Sequence, residues 1–131
     1  MNVVLDASAA IEVALKRPHA PRFIVALRNS QVVFAPDLIF AEVAQTFWKL
    51  HRFDGLKVAA CNQGIEDALG LVDVATPCGS LVRDAFLLAR TEERSAYDMF
   101  YLALARREAG VLATLDSGLR SLAERQGVAV V

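Results

Sequence analysis

Four carboxylates, Asp6, Glu42, Asp98 and Asp116, stand where side chains could do chemistry. Asp6 directly follows the β-branched run Val3–Leu5, and Asp116 closes Leu112-Ala-Thr-Leu-Asp116 after a second apolar run. Asp98 lies at the start of Tyr97-Asp-Met-Phe-Tyr-Leu-Ala-Leu-Ala105, apolar on nearly all sides, which is the pattern of a buried helix. An acid in that first turn favours the helix dipole by at most about 1 kcal/mol, whereas desolvating a charge costs several. Asp98 therefore calls for a cation, a hydrogen-bond network or a proton. Glu42 sits among Phe40, Val43 and Phe47 in the second turn of an expected helix. Four converging carboxylates repel one another, so they would keep protons or hold a cation. Oxygen-only donors suit the hard cations Mg²⁺ and Mn²⁺. Zinc suits the set less well, because neither His19 nor His51 belongs to a ligand-spaced motif. Each acid also has an ordinary explanation. Asp6 and Asp116 can be N-caps, worth about 1 kcal/mol each, and Glu42 can be a solvated side chain. Ser8 and Thr114 flank the first and fourth acids and could orient a carboxylate or a water, or simply close turns.

The surrounding pattern predicts elements that would gather these acids. Strands are expected at Val3–Leu5, Val32–Phe34, Leu71–Val74, Val111–Thr114 and Val128–Val130. Helices are expected at Ala7–Leu15, Pro21–Arg28, Leu38–Leu50, Leu56–Leu69, Gly79–Thr91, Tyr97–Glu108 and Leu119–Gln126, with Asp37 placed to cap the third. Strands alternating with helices imply an α/β fold, a mostly parallel five-stranded sheet with helices on both faces. The strands are near-continuous apolar runs, as expected when both faces are covered. Ligands of such sheets sit beyond the carboxyl ends of the strands, and there Asp6 and Asp116 are expected.

Composition narrows the function classes. A length of 131 residues fits a single domain over 1–131 that needs no disulfide staple. The formal net charge of −1 excludes a global basic field, so any attraction for nucleic acid must be local. No apolar run reaches the roughly 20 residues of a membrane span. The opening MNVVLDAS has no basic region before its apolar stretch and reads as a strand rather than a signal peptide. Cys61 and Cys78 without C-x-x-C spacing suggest a reducing, cytoplasmic setting. Hydrophobic residues make up 55 %, above the usual share of about 45–50 %, so apolar surface is left for an unusually apolar core or for a partner chain.

In order along the chain, these acidic stretches resemble the motifs of PIN domains, and specifically of the VapC toxins of bacterial toxin–antitoxin pairs. The opening strand with Asp6-Ala-Ser8 resembles the first acidic motif, and Phe40-Ala-Glu42-Val43 the second. Tyr97-Asp98-Met-Phe-Tyr101-Leu-Ala-Leu-Ala105 resembles the most recognisable stretch, and Leu112-Ala-Thr114-Leu-Asp116 with Gly118-Leu119 the fourth. Gly127-Val-Ala-Val-Val131 resembles the closing strand. Met99 stands where a small residue is more usual, which is read as packing. The resemblance implies a three-layer PIN-like fold and an endonuclease for single-stranded RNA using Mg²⁺ or Mn²⁺. It implies Asp6, Glu42, Asp98 and Asp116 as the metal site, a neighbouring antitoxin as partner, and a homodimer. The expected reaction is in-line attack of an activated water on the scissile phosphate, leaving a 5′-phosphate and a 3′-hydroxyl. Glu42 or Asp98 could serve as a base through water instead of as a direct ligand.

Phosphate contacts would have to offset the acidic site. Lys16, Arg17, Arg22, Lys49, Arg52, Lys57 and Arg94 are the basic candidates, with Arg94 set apart by lying one turn before Asp98. Phe47, Trp48 and Phe53 suggest either core packing or a groove for a partner helix. Two other classes stay open: a phosphoryl-transfer domain with an acidic pocket, and a non-catalytic module whose acids hold a structural cation or nothing. Against the former, Ser8 stands where a second Asp would be needed, and no Lys follows Lys57.

Overall fold

The computed structural model describes residues 1–131. Four parallel strands, β1 (Asn2–Leu5), β2 (Val32–Pro36), β3 (Val74–Thr76) and β4 (Val111–Ala113), form one sheet in the order β3-β2-β1-β4. Seven helices connect them: α1 (Ala7–Ala14), α2 (Ala20–Arg28), α3 (Leu38–Asp54), α4 (Val58–Leu69), α5 (Val82–Glu92), α6 (Ala96–Arg107) and α7 (Ser117–Arg125). The two faces of the sheet are distinguished by the pleat of β1. Val3 and Leu5 pack with Ala9 and Ile11 of α1, Phe23 of α2, Ile39, Val43 and Phe47 of α3, and Ala68 of α4. Val4, between them, packs with Leu81, Leu88 of α5, Leu102 and Leu104 of α6, and Leu119 and Leu122 of α7. Successive strand residues point to opposite faces, so the molecule has three layers, as expected. Met99 is fully buried in the second core, which agrees with its packing role.

The expected fifth strand is not formed. Residues 128–130 make one isolated parallel bridge, Leu112 to Val130. The Val128 N–H is still tied to the Ala123 carbonyl at the end of α7 (2.8 Å), so only Ala129 and Val131 are left to bond Leu112. The third strand starts later than expected for the same reason. The amides of Leu71 and Val72 bond back to the carbonyls of Ala68 and Leu69, and pairing with β2 opens at Asp73, whose carboxylate also accepts the Val33 N–H at 2.8 Å. Asp37 precedes α3 but makes no side-chain cap. Its carboxylate accepts the Cys78 N–H at 3.0 Å instead and ties the start of α3 to the loop after β3. A 3-10 turn at Cys78–Ser80 replaces the first turn of the expected fifth helix. Phe47, expected either in the core or in a partner groove, is buried, with its ring against Gly64 of α4. No helix is long and apolar enough to cross a membrane.

Candidate metal centre

The strand order places the site. The chain runs outward from β1 to β3 and then returns to the opposite edge of β1 as β4, so the order reverses between β1 and β4. In parallel sheets that reversal opens a crevice at the carboxyl ends of the strands. Asp6 leaves β1 at this point, and Asp116 follows β4. Glu42 enters from α3, which follows β2, and Asp98 from the first turn of α6. All four acids line one cavity of about 330 Å³, together with Ser8, Arg17, Thr46 and Tyr101. Neither His19 nor His51 lines it. A larger cavity of about 620 Å³ lies between α5 and α6, but it contains none of the four acids.

Asp6 is the most constrained member. It caps α1 and is buried. One carboxylate oxygen accepts the Ser8 hydroxyl (2.6 Å) and the Ala9 N–H (2.9 Å), and the other accepts the Thr114 hydroxyl. Burial pushes its pKa from 3.8 up to about 6, and the charge of Glu42 adds to the rise, while the three hydrogen bonds oppose it. Ser8 and Thr114 each do two things. The Ser8 oxygen accepts the Leu115 N–H at 3.0 Å, and the Thr114 oxygen accepts the Asp116 N–H at 3.1 Å. With the bonds from both hydroxyls to Asp6, they link the start of α1 to the loop after β4. Asp116 caps α7 through the Leu119 N–H at 3.0 Å. Asp6 and Asp116 are thus N-caps that also line the cavity.

Glu42 is half-buried, and its carboxylate accepts the Tyr101 hydroxyl at 2.5 Å. Burial raises its pKa, the Tyr101 bond opposes that, and the charge of Asp98 adds to it. The buried Tyr101 hydroxyl is held well above the usual phenol range, first by desolvation and then by Glu42, so it stays a donor. Tyr101 has no role in the sequence reading. The signal that could have found it is its spacing of three from Asp98, which sets both on one face of α6. Arg94 lies among the acids, 3.1 Å from the Asp98 carboxylate and 3.8 Å from that of Asp116. Arg17, at the lip of the cavity, is exposed and makes no ion pair, whereas Lys16, Arg22, Lys49, Arg52, Lys57 and Arg94 itself lie outside the cavity lining.

The donor set fits a hard divalent cation: four carboxylates and no sulfur or imidazole in one crevice. As they stand, no three of them are close enough to close around an ion. Arg94 holds Asp98 and Asp116, and Tyr101 holds Glu42. Each of these three acids thus has an internal partner on one carboxylate oxygen.

Known proteins resemble the chain over nearly its whole length. The family model of the PIN domain matches residues 3–125. Ribonuclease VapC3 of Pyrobaculum aerophilum is 31 % identical over 95 % of this chain and 95 % of its own length. The crystal structure of PAE2754 from Pyrobaculum aerophilum superposes with a TM-score of 0.75 at 22 % identity, covering 100 % of this chain and 92 % of that one. VapBC2 from Rickettsia felis, solved bound to a DNA fragment from its promoter, gives a TM-score of 0.68 at 11 % identity over 100 % and 98 %. At those identities the two structures speak for the fold alone, whereas the family match and the VapC3 likeness speak for descent. The chain belongs to the PIN domain family, among the VapC ribonucleases.

Proposed function

We propose that this chain, as one PIN domain, is an Mg²⁺- or Mn²⁺-dependent endoribonuclease and the cytoplasmic toxin of a toxin–antitoxin pair. The observation that carries the reading is Asp6: a buried carboxylate with a raised pKa, at the switch crevice, facing three further acids across one cavity. A buried acid of that kind is a functional-site candidate on physical grounds. A divalent cation bound there would supply Lewis-acid chemistry, neutralising phosphate charge and making water a nucleophile at neutral pH. The chain's own residues would do the rest. Ser8, Thr114 and the Ala9 N–H hold Asp6 in one orientation, and Tyr101 orients Glu42. Asp98 and Asp116, which line the same cavity, complete the donor set. Arg17, unpaired at the lip, is placed to meet a phosphate on the incoming strand.

The ribonuclease name of the VapC3 relative supports an RNA substrate, and the VapBC2 pair supports a partner of the VapB kind. The exposed apolar residues of α3 and the start of α4, Phe40, Trp48, Phe53 and Val58, are surface that such a partner could cover. A homodimer is part of the same reading. The test is cleavage of a labelled RNA pool with Mg²⁺, with Mn²⁺ and with EDTA. Cleavage is expected with either metal and none in EDTA, in Asp6→Asn or in Asp98→Asn. Full activity in EDTA or in either variant would sink the reading. One observation favours a non-catalytic pocket, namely that no three acids yet surround an ion, and the absence of metal-dependent cleavage would decide for it.

A further inference from the structure

Arg94 lies outside the residues that line the cavity but reaches two of its four acids, and three separate features hold it there. It leaves the end of α5 directly after Glu93, a non-glycine residue in the left-handed region (φ 53°), and its own N–H bonds the Ala89 carbonyl at 3.2 Å. That turn aims the side chain at the crevice. The guanidinium then meets two of the four acids, Asp98 at 3.1 Å and Asp116 at 3.8 Å. The third feature is the space that receives it. A Cβ on Gly118, in the first turn of α7, would fall 2.5 Å from Nη1 and 3.4 Å from Cζ of Arg94. Gly118 is not among the glycines with positive φ, so its backbone does not require glycine. The missing side chain leaves room for the guanidinium.

We propose that Arg94 is a built-in competitor for the cation: it neutralises Asp98 and Asp116 in the metal-free protein and must withdraw before they can coordinate an ion. The proposal rests on reading the four acids as a cation site. A guanidinium and a divalent ion repel each other, and Arg94 lies against one carboxylate oxygen, Oδ2, of each of Asp98 and Asp116. Arg94 therefore sets the metal concentration at which the site fills. Its side chain is partly exposed at 28 %, so a route of withdrawal to solvent is open.

The test measures Mn²⁺ binding to the full chain, without RNA, by calorimetry and by the electron paramagnetic resonance signal of free Mn²⁺. Opposite charges at this range shift an acid's proton affinity by about one to three log units, and partial exposure favours the lower end. Arg94→Gln is therefore expected to bind Mn²⁺ about tenfold more tightly than wild type. Gly118→Ala keeps the arginine but fills its seat, and is expected to shift affinity the same way. In EDTA, Arg94→Gln is expected to melt below wild type, because two acids lose their counter-ion, and to gain more than wild type when Mn²⁺ is added. If Asp6→Asn abolishes binding while Arg94→Gln leaves affinity unchanged or weaker, the competitor role is overturned and the cation site stands. If Mn²⁺ binding survives in Asp6→Asn, the four-acid site fails and the competitor role falls with it.

Discussion

Asp6 carries a conflict between stability and function. Its pKa in the fold, about 6, lies above the ordinary 3.8, so folding favours its protonated form. That contribution to stability is fully present below about pH 4 and is lost as pH rises through about 6. A shift of roughly two units corresponds to about 3 kcal/mol at most. Asp6→Asn, which has no proton to lose, is expected to abolish cleavage. It is also expected to be more stable than wild type in EDTA at pH 7.5 and to lose that advantage near pH 4. Urea unfolding at several pH values checks this, and a constant difference between the two proteins would refute it. Tyr101 poses a different question, because it touches Glu42 and no other acid. Tyr101→Phe removes one hydrogen bond, worth about 1 kcal/mol, and leaves Glu42 free to rotate and easier to protonate. Cleavage is expected to fall about tenfold, with the pH profile moved upward and the fold intact. Unchanged activity with an unchanged profile would deny Tyr101 a positioning role. Asp6, Asp98 and Asp116 were legible in the sequence because each follows a strand or opens an apolar helix, whereas Glu42, in the second turn of α3, rested mainly on the family resemblance. Tyr101 and the second partner of Arg94 were not, because they arise from contacts between residues 59 and 22 positions apart.

The helices were legible nearly to their ends, since apolar periodicity and flanking Gly, Pro and Asp mark them. The errors concentrate where backbone N–H groups have two possible destinations. Leu71, Val72 and Val128 look like strand residues, yet their amides close the ends of α4 and α7. Composition does not record that choice. Packing between elements is equally silent until the structure pairs them, as Phe47 of α3 and Gly64 of α4 illustrate. A Cβ at position 64 would fall 2.5 Å from the Phe47 ring, so glycine there is a packing requirement. Gly64→Ala is expected to destabilise by about 1–3 kcal/mol, the usual cost of overpacking. Adding Phe47→Leu should recover part of the loss by shortening the obstructing side chain. Thermal melts of the single and double variants check this, and an additive double variant would show that the two residues do not couple.

For the molecule as a whole, β/α alternation made the three layers legible, but it left the strand order open. That order is what creates the crevice between β1 and β4, so the convergence of the acids could be expected only from the rule for parallel sheets and from the family resemblance. The apolar excess was likewise visible, and its destination was not. Much of it lies in two cores, one on each face of the sheet, yet Trp48 (52 % exposed) and Phe53 (68 %) meet edge to face at the surface, with ring centroids 5.8 Å apart. Scattered exposed apolar residues are normal, but an exposed aromatic pair in contact forms a small patch of the kind that marks interaction surfaces. The patch is distinct from the acid cavity, none of whose lining residues belongs to it. Replacing Trp48 and Phe53 together with Ser should therefore separate partner binding from catalysis. Stability is expected to change by no more than about 0.5 kcal/mol per site, as for exposed positions in general. RNA cleavage by the purified variant should match wild type, while co-expressed partner should no longer co-elute with it in size-exclusion chromatography with light scattering. Retained co-elution would move the partner surface elsewhere, and the exposed Val82, Phe86 and Leu87 of α5 would be the next face to alter.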